Sequence, residues 1–367
     1  MAVKAPLNVE YKTSSDHNDI CILEDISKIQ DYLECSKRNF EDRLKRRVTM
    51  NESSFHDFVL HKTIGVGAFG RVMLVNHKLN PDKFFAMKIM KKEQILKRNY
   101  LQHVTNEKQL LSNLRHPFII QMEYCAKDVC NLYFVMPFIV GGDLFSLMSD
   151  RGVLDELHAM FYAGQMVLAL EYLHSLDILY RDLKPENVLI DEVGFIKLTD
   201  LGLSKRITSN RTTTLCGTPY YLAPEIIAIK SYGKPVDWWA LGIILFEMVA
   251  GTVPFNADNE KKLFYRILSG NYKMPINFSP NLSHLIKNLL RVDLSKRYGN
   301  LSRGITDIKH HRWFTKIDWV MLYNKHTVAP FIPTYTGPSD THNFEEYVEE
   351  DATVVCNGID QTYFADF

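Results

Sequence analysis

No net charge sets one sign over the other in this chain of 367 residues: 43 basic side chains face 43 acidic ones. Without a basic excess there is no global field to draw in phosphate backbones or anionic lipid, so nucleic-acid binding and membrane anchoring are not expected. No C-x-x-C pair occurs among the six cysteines, and the closest two, Cys125 and Cys130, have no histidine nearer than His116. That excludes a zinc site and a disulfide framework, and it predicts a reducing compartment, cytoplasm or nucleus. No apolar run is long enough to span a bilayer; the longest, Trp238 to Ala250, has 13 residues and contains Glu247, so it reads as a buried helix. No apolar stretch follows Met1-Ala2-Val3-Lys4, and Ala2 stands where N-myristoylation takes glycine, so neither a secretory leader nor that lipid is expected. No fixed-period repeat is present.

What remains is an ordinary globular mixture, 46% hydrophobic, 12% aromatic and 23% charged. Its length predicts two domains or one large two-lobed unit. From Ile26, the apolar residues Ile29, Leu33, Phe40 and Leu44 recur at helical spacing among charges, which predicts an amphipathic helix over 26–47. Docking on its own domain and docking on a partner both fit that pattern. From Phe55 to about Cys130 the text is strand-like (Phe58-Val59-Leu60, Val72 to Val75, Phe84 to Lys88), interrupted by one charged helical stretch, Tyr100 to Leu114. After Gly142 the signal turns helical, near 157–176, 236–250 and 260–268. A small β-rich lobe followed by a larger α-rich lobe is predicted, with Asn131 to Phe138 closing the first. From about Lys325 the chain is irregular and acidic, an extended tail that wraps a domain.

Gly65-Val66-Gly67-Ala68-Phe69-Gly70 sits between two strand-like runs. Glycines there let backbone N–H groups approach phosphate oxygens with no Cβ in the way. By itself the pattern also fits a plain β-turn or a dinucleotide-binding turn, although the latter needs a helix directly afterwards. Further along stand Tyr180-Arg181-Asp182-Leu183-Lys184-Pro185-Glu186-Asn187, then Asp200-Leu201-Gly202, then Ala223-Pro224-Glu225. In this order and spacing, the set resembles the protein kinase family from about Phe58 to Trp313.

The resemblance implies an α+β, bilobal protein-kinase fold: a small antiparallel β-sheet N-lobe with one key helix, a larger mainly α-helical C-lobe and a C-terminal tail. Its divisions are an extension over 1–57, a kinase domain over 58–313 (N-lobe 58–136, hinge 137–142, C-lobe 143–313) and a tail over 314–367. ATP and Mg²⁺ are the implied cofactors. Lys88 would hold the α- and β-phosphates, and Glu107 would orient it through an ion pair; without the family frame Glu107 reads as an exposed helical carboxylate. Asn187 and Asp200 are hard oxygen ligands suited to Mg²⁺. Asp182 would accept the proton of the substrate hydroxyl, and Lys184 would neutralise the transferring phosphate, as in serine/threonine rather than tyrosine kinases. Gly65, Gly67, Phe69 and Gly70 would cover the phosphates, with Val72, Ala86 and Leu189 against the adenine faces and Met136 guarding the pocket behind. The backbone of Pro137 and Ile139 would bond the adenine edge; proline lacks an N–H, but only its carbonyl is needed.

Thr212 to Pro219, the acidic tail and Phe364-x-x-Phe367 resemble the AGC group, with the nearest likeness to cyclic-AMP-dependent catalytic subunits. That implies protein substrates with Arg-Arg-x-Ser/Thr-hydrophobic motifs and a cyclic-AMP-binding regulatory subunit as partner. Thr214 would be the activating phosphosite, held by His103, Arg181 and Lys205; an ordinary helix-surface histidine is the alternative for His103. Leu215, Pro219 and Leu222 would receive the residue after the phosphoacceptor. Asp143 would meet an arginine three residues before it, and Glu186 and Glu247 one two residues before it. A lone carboxylate in Trp238–Ala250 is costly to bury unpaired, which singles out Glu247. Departures from the group stand at Leu201, Thr213, Tyr220, Ser149, Asp150 and Val355, the last at the usual tail phosphosite with Thr353 beside it. Leu201 stands where the kinase motif has phenylalanine, and with Asp200 and Gly202 intact activity is expected to survive; the others bear on control by a regulatory subunit and not on catalysis. Phe344 and Tyr347 match tail aromatics near the nucleotide. A related AGC kinase without cyclic-AMP control, and a catalytically dead scaffold, are the competing readings; the intact Lys88, Glu107, Asp182, Asn187 and Asp200 argue against the scaffold.

Overall fold

Alternation along the third long strand sets the small lobe. In the computed structural model, which describes residues 29–46, 51–52, 54–207, 211–349, 359–365 and 367, that strand is β4. The strands are β1 (Asn51–Glu52), β2 (Phe58–Gly67), β3 (Gly70–His77), β4 (Asn80–Lys91), β5 (Tyr124–Lys127) and β6 (Asn131–Pro137). They form one sheet in the order β1-β5-β6-β4-β3-β2, antiparallel except for β1 beside β5. Because successive side chains point to opposite faces, Phe85 and Met87 enter an outer core with Phe58, Met73, Val75 and Val135. Ala86 and Lys88 are thereby left on the other face, toward the cleft. Under that face lie α2 (Lys92–Lys97) and α3 (Leu101–Asn113), with Val104, Glu107, Leu110 and Leu111 buried.

The large lobe is built on α5 (Glu156–Ser175) and α7 (Pro235–Ala250), which are apolar on all sides and almost wholly buried, as such helices must be. Proline at the first turn of α7 and Gly251 in the left-handed region just past its end fix its length. The remaining elements are α1 (Ile29–Arg46), α4 (Leu144–Arg151), α6 (Pro224–Ile227), α8 (Glu260–Ser269), α9 (Pro280–Leu289), α10 (Thr306–Lys309), α11 (Trp319–Tyr323) and the short strands β7 (Ile178–Leu179), β8 (Val188–Ile190), β9 (Ile196–Leu198) and β10 (Lys205–Arg206). No helix of the described residues is long and apolar enough to cross a membrane.

Helix α1 docks on its own domain. Phe40 is fully buried, Arg43 Nε donates to the Asn113 carbonyl at 2.9 Å, and Lys37 pairs with Asp177 at 2.7 Å; residues 26–28 and 47 of the expected helix lie outside the described set. The tail wraps as expected. Asn343 Nδ2 donates to the Val140 carbonyl at 3.0 Å, Phe344 packs on Phe138, and Glu349 accepts from Thr63 N and Oγ1 at 2.6 and 2.7 Å. Its end returns to the small lobe, where Phe364 is buried under the Lys92 ammonium, 4.9 Å from the ring centre. One expectation needs correction: Cys130 is disulfide-bonded, while Cys125 and Cys216 are free thiols. Spacing alone does not reveal such a bond.

A buried ion pair locks the segment after the cleft to the large lobe. Arg297, with no exposed surface, donates bidentately to Glu225 at 2.6 and 2.9 Å and stacks over Trp239. Removing one partner strands the other charge in the interior, which costs about 3–5 kcal/mol. Arg297→Ala is therefore expected to lose about that much in urea unfolding; a loss under about 1 kcal/mol would contradict it.

Candidate active site

Asp237, in the first turn of α7 and fully buried, accepts from the backbone N–H groups of Tyr180 and Arg181 at 3.0 and 2.8 Å and from His174 Nε2 at 2.7 Å. This grip holds Arg181 at φ +69°, in the left-handed region that side-chain-bearing residues seldom occupy, and turns the following loop into the cleft. Asp182 is the centre of that loop. Asn187 Nδ2 donates to its carbonyl and to Oδ2 at 2.8 and 2.9 Å, Thr218 Oγ1 donates to Oδ1 at 2.8 Å, and Lys184 Nζ lies 3.2 Å from Oδ2. Lys184 also donates to Thr218 Oγ1 at 3.0 Å. Three residues thus fix one carboxylate from both sides.

Across the cleft, Lys88 Nζ lies 2.6 Å from Glu107 Oε1 and 3.4 Å from Asp200 Oδ1. Burial alone would lower the Lys88 pKa, but the Asp200 and Glu107 carboxylates outweigh it and hold the ammonium well above its ordinary 10.5. Lys88 in turn, helped by the Gly202 N–H, keeps the Asp200 carboxyl below its ordinary 3.8. Burial pushes the Glu107 carboxyl up against the pull of Lys88.

Whether these groups fit Mg²⁺ can be judged from the donors. Asn187 spends its amide N–H on Asp182, which leaves its carbonyl oxygen available, and Asp200 is ionised and half-exposed to the cleft. Two hard oxygens suit an ion that retains most of its waters. No group of three or more His, Cys, Asp or Glu that could hold a metal occurs among the described residues.

The wall behind them follows the sheet register. Val72 pairs across from Lys88, Ala86 from Met136 and Phe85 from Pro137, while Leu189 comes from β8. The Ile139 N–H makes no hydrogen bond among the described residues, as an adenine-facing donor requires. Gly70 is obligatory because a Cβ there would sit 1.9 Å from the Ile89 carbonyl oxygen, whereas a Cβ at Gly65 or Gly67 would make only ordinary contacts, at 3.7 Å or more. Phe69 stacks its ring on Tyr100.

The activation segment is arranged differently from the expected cluster. Thr214 is exposed. Lys205 Nζ donates to Thr212 Oγ1 at 3.0 Å, one hydroxyl short of Thr214, and Thr212 Oγ1 is 3.4 Å from Thr214 Oγ1. Arg181 donates to the Leu203 carbonyl and to Tyr232 OH, and His103 Nδ1 donates to the Gly202 carbonyl at 3.2 Å. With a neutral threonine there is no dianion to draw the three cations together. Val355 and Thr353 lie outside the described residues.

On the substrate side, Asp143 caps α4 by accepting from Ser146 N at 2.7 Å, and burial together with the nearby Glu345 carboxylate pushes its pKa up. Glu247 is buried, yet not unpartnered as its position implied: Tyr221 OH donates to it at 2.7 Å. Burial raises its pKa, Tyr221 pulls it down and the Glu186 charge pushes it up again. Pro219 starts a short helical turn, Leu222 is buried and Leu215 is 56% exposed. Gly217 at φ +117° allows that turn. Thr218, Tyr221, Tyr232, Asp237 and Glu345 were not legible as site residues, because each acts through a contact that only the fold creates.

A family model, "Protein kinase domain", matches residues 58–314. The chain is 45% identical to the human "cAMP-dependent protein kinase catalytic subunit PRKX", over 81% of this chain and 83% of that protein. It is 42% identical to the Drosophila melanogaster "cAMP-dependent protein kinase catalytic subunit 2" over 87% and 90% of the two chains, and 42% identical to the Saccharomyces cerevisiae "cAMP-dependent protein kinase type 3" over 86% and 79%.

Because the Asp200 pKa is depressed by folding, its ionised form contributes stability that is complete above about 3.8 and is lost as pH falls through the lower folded value. The stability difference between wild type and Asp200→Asn is expected to be constant from about pH 5 to 8 and to change only below about pH 4. A difference in urea unfolding that drifts steadily between pH 5 and 8 would contradict this.

Proposed function

The chain belongs to the protein kinase family, as a serine/threonine kinase, and from that premise we propose that it transfers the ATP γ-phosphate to Ser/Thr in Arg-Arg-x-Ser/Thr-hydrophobic segments. The observation that carries this reading is the convergence of Asp182, Lys184 and Asn187 from the large lobe with Lys88, Glu107 and Asp200 across one cleft. Phosphoryl transfer asks the protein for position and charge more than for covalent chemistry. Lys88, held charged and aimed by two carboxylates, is placed to take phosphate oxygens. Asp182, fixed by Asn187 and Thr218, orients the substrate hydroxyl and accepts its proton as the O–P bond forms and ADP departs. Lys184 faces the oxygens of the transferring group. Asn187 and Asp200 would hold Mg²⁺, which when bound neutralises charge on the phosphates.

Specificity for basic peptides is supported by carboxylates that lack a cation. Asp143 sits with Glu345, and Glu247 with Glu186; burial raises the pKa of Asp143 and of Glu247, and the neighbouring carboxylate adds to it. An incoming arginine relieves both. Leu215, Pro219 and Leu222 supply the apolar contact on the other side of the acceptor.

The relatives' names and the exposed surface at Leu215 and Tyr220 support a cyclic-AMP-binding inhibitory subunit as partner. Thr213, Ser149 and Asp150 favour the second reading, a related kinase outside that control. Inhibition by such a subunit, relieved by cyclic AMP, is the expected result of mixing the two; full activity with the subunit in excess would decide for the second reading.

For the peptide preference, replacing the arginine two residues before the acceptor by alanine is expected to lower kcat/KM roughly 10- to 150-fold, the worth of a charge-assisted contact. In wild type the affinity for that arginine should fall as pH drops through the raised Glu247 pKa, because the protonated carboxyl no longer attracts it. Glu247→Gln should show the loss without the pH dependence. Equal turnover of both peptides would overturn the proposal.

A further inference from the structure

The tip of the β2–β3 hairpin is nearly bare. Gly65, Gly67 and Gly70 have no side chains to anchor it and Val66 points out, 66% exposed. Phe69 is its one large anchored group, and its ring stacks on Tyr100 with centroids 4.3 Å apart and planes at 23°. The Arg98 guanidinium lies 5.4 Å over the same ring. Tyr100 precedes α3 and stacks in turn on His103, at 4.4 Å and 9°. Its hydroxyl donates to the Gly202 carbonyl at 3.3 Å, beside the His103 Nδ1–H that donates to the same oxygen at 3.2 Å.

We propose that Tyr100 is a positioning residue that clamps the glycine-rich tip, through Phe69, onto α3 and the Asp200–Gly202 segment, and so sets the closure of the nucleotide cleft. This deepens the kinase reading and rests on it. Three parts that must act together meet on one phenol: the tip that covers the phosphates, the helix that carries Glu107 and the segment that carries Asp200. Burial, with the Asp200 and Glu107 charges, pushes the Tyr100 phenol up to about 12, so it stays a neutral donor across the physiological range. A Cβ on Gly202 would come 3.3 Å from the Tyr100 hydroxyl, so glycine at that position leaves room for the contact. The backbone at the end of the segment is tied to β4, the Phe69 carbonyl accepting from Lys91 N at 2.9 Å, so the Phe69 ring is the tip's one large side-chain anchor and loss of the stack loosens the tip rather than the lobe. The cost falls on nucleotide binding.

The test uses the full chain with an Arg-Arg-x-Ser peptide, in wild type, Tyr100→Ala, Tyr100→Phe, Phe69→Ala and the double variant. One aromatic stack corresponds to about a two- to tenfold effect. Tyr100→Ala is expected to raise KM for ATP by that factor with KM for the peptide unchanged, and Tyr100→Phe, which keeps the stack, to stay nearer wild type. The double variant should match Phe69→Ala, since each ring acts through the other. Amide exchange at residues 66–70 should quicken in nucleotide-free Tyr100→Ala while exchange in α7 is unchanged. Unaltered ATP KM and exchange, equal rises in both KM values, or effects of the two single variants that multiply independently would each overturn the clamp. If wild type itself turns over no peptide, the kinase reading fails, and the exchange comparison still decides whether Tyr100 holds the tip.

Discussion

Lys88 and Glu107 lie 2.6 Å apart on elements that no local propensity brings together, a central strand and a helix packed beneath it. The strand's alternation sends Phe85 and Met87 into one core and so forces Lys88 to the opposite face. The helix buries Val104, Leu110 and Leu111, and the same face carries Glu107 inward. Two charges therefore enter a nearly dry interior, which is tolerable only because each answers the other and Asp200 stands by as a third partner. Loss of strand register, helix placement or the Asp200 turn would leave a buried charge without its partner. The position of the small lobe over the cleft and the ionisation of the site are in this sense one constraint.

The large lobe solves the complementary problem, holding a loop of polar groups still without covering it. Asp237 does so from the start of α7, where the unsatisfied N–H groups of a helix favour a carboxylate, and it takes the backbone of Tyr180 and Arg181. Asp182 is then fixed by its neighbours, while burial, with a smaller push from neighbouring carboxylates, keeps the pKa values of Asp143 and Glu247 raised. Asp182 takes three side-chain partners, whereas Asp143 accepts from Ser146 and Glu247 from Tyr221, each standing beside another carboxylate. That contrast separates the two kinds of carboxylate here more clearly than burial does.

Much of this was legible in the sequence, for a physical reason. Glycines between strands, an Asp and Asn five apart, and a second Asp after a short hairpin are dictated by phosphate and metal chemistry, which fixes residue type and spacing together. The docked helix α1 was legible from its apolar period, and the two lobes from the change of period near Gly142. What stayed hidden acts across the fold. Asp237 reads in sequence as one acid in an apolar helix, Tyr221 as one aromatic among many, and the Cys130 disulfide as no motif at all. The clustering of His103, Arg181 and Lys205 around Thr214 was expected for a phosphothreonine; with a hydroxyl in its place, Arg181 and His103 turn to the carbonyls of Leu203 and Gly202. The stack of Phe69 on Tyr100 was hidden too, since nothing in the glycine motif points to the aromatic residue at 100.

The central claim, that two carboxylates hold Lys88 as a permanent charge in the cleft, can be tested directly by following the lysine Cε resonances through a pH titration of isotope-labelled protein. Lys88 is predicted to remain an ammonium at pH 10.5, where an ordinary lysine is half neutral, and to titrate lower once Glu107 is replaced by glutamine. A Lys88 resonance that titrates at or below 10.5 in the unaltered protein would contradict the account.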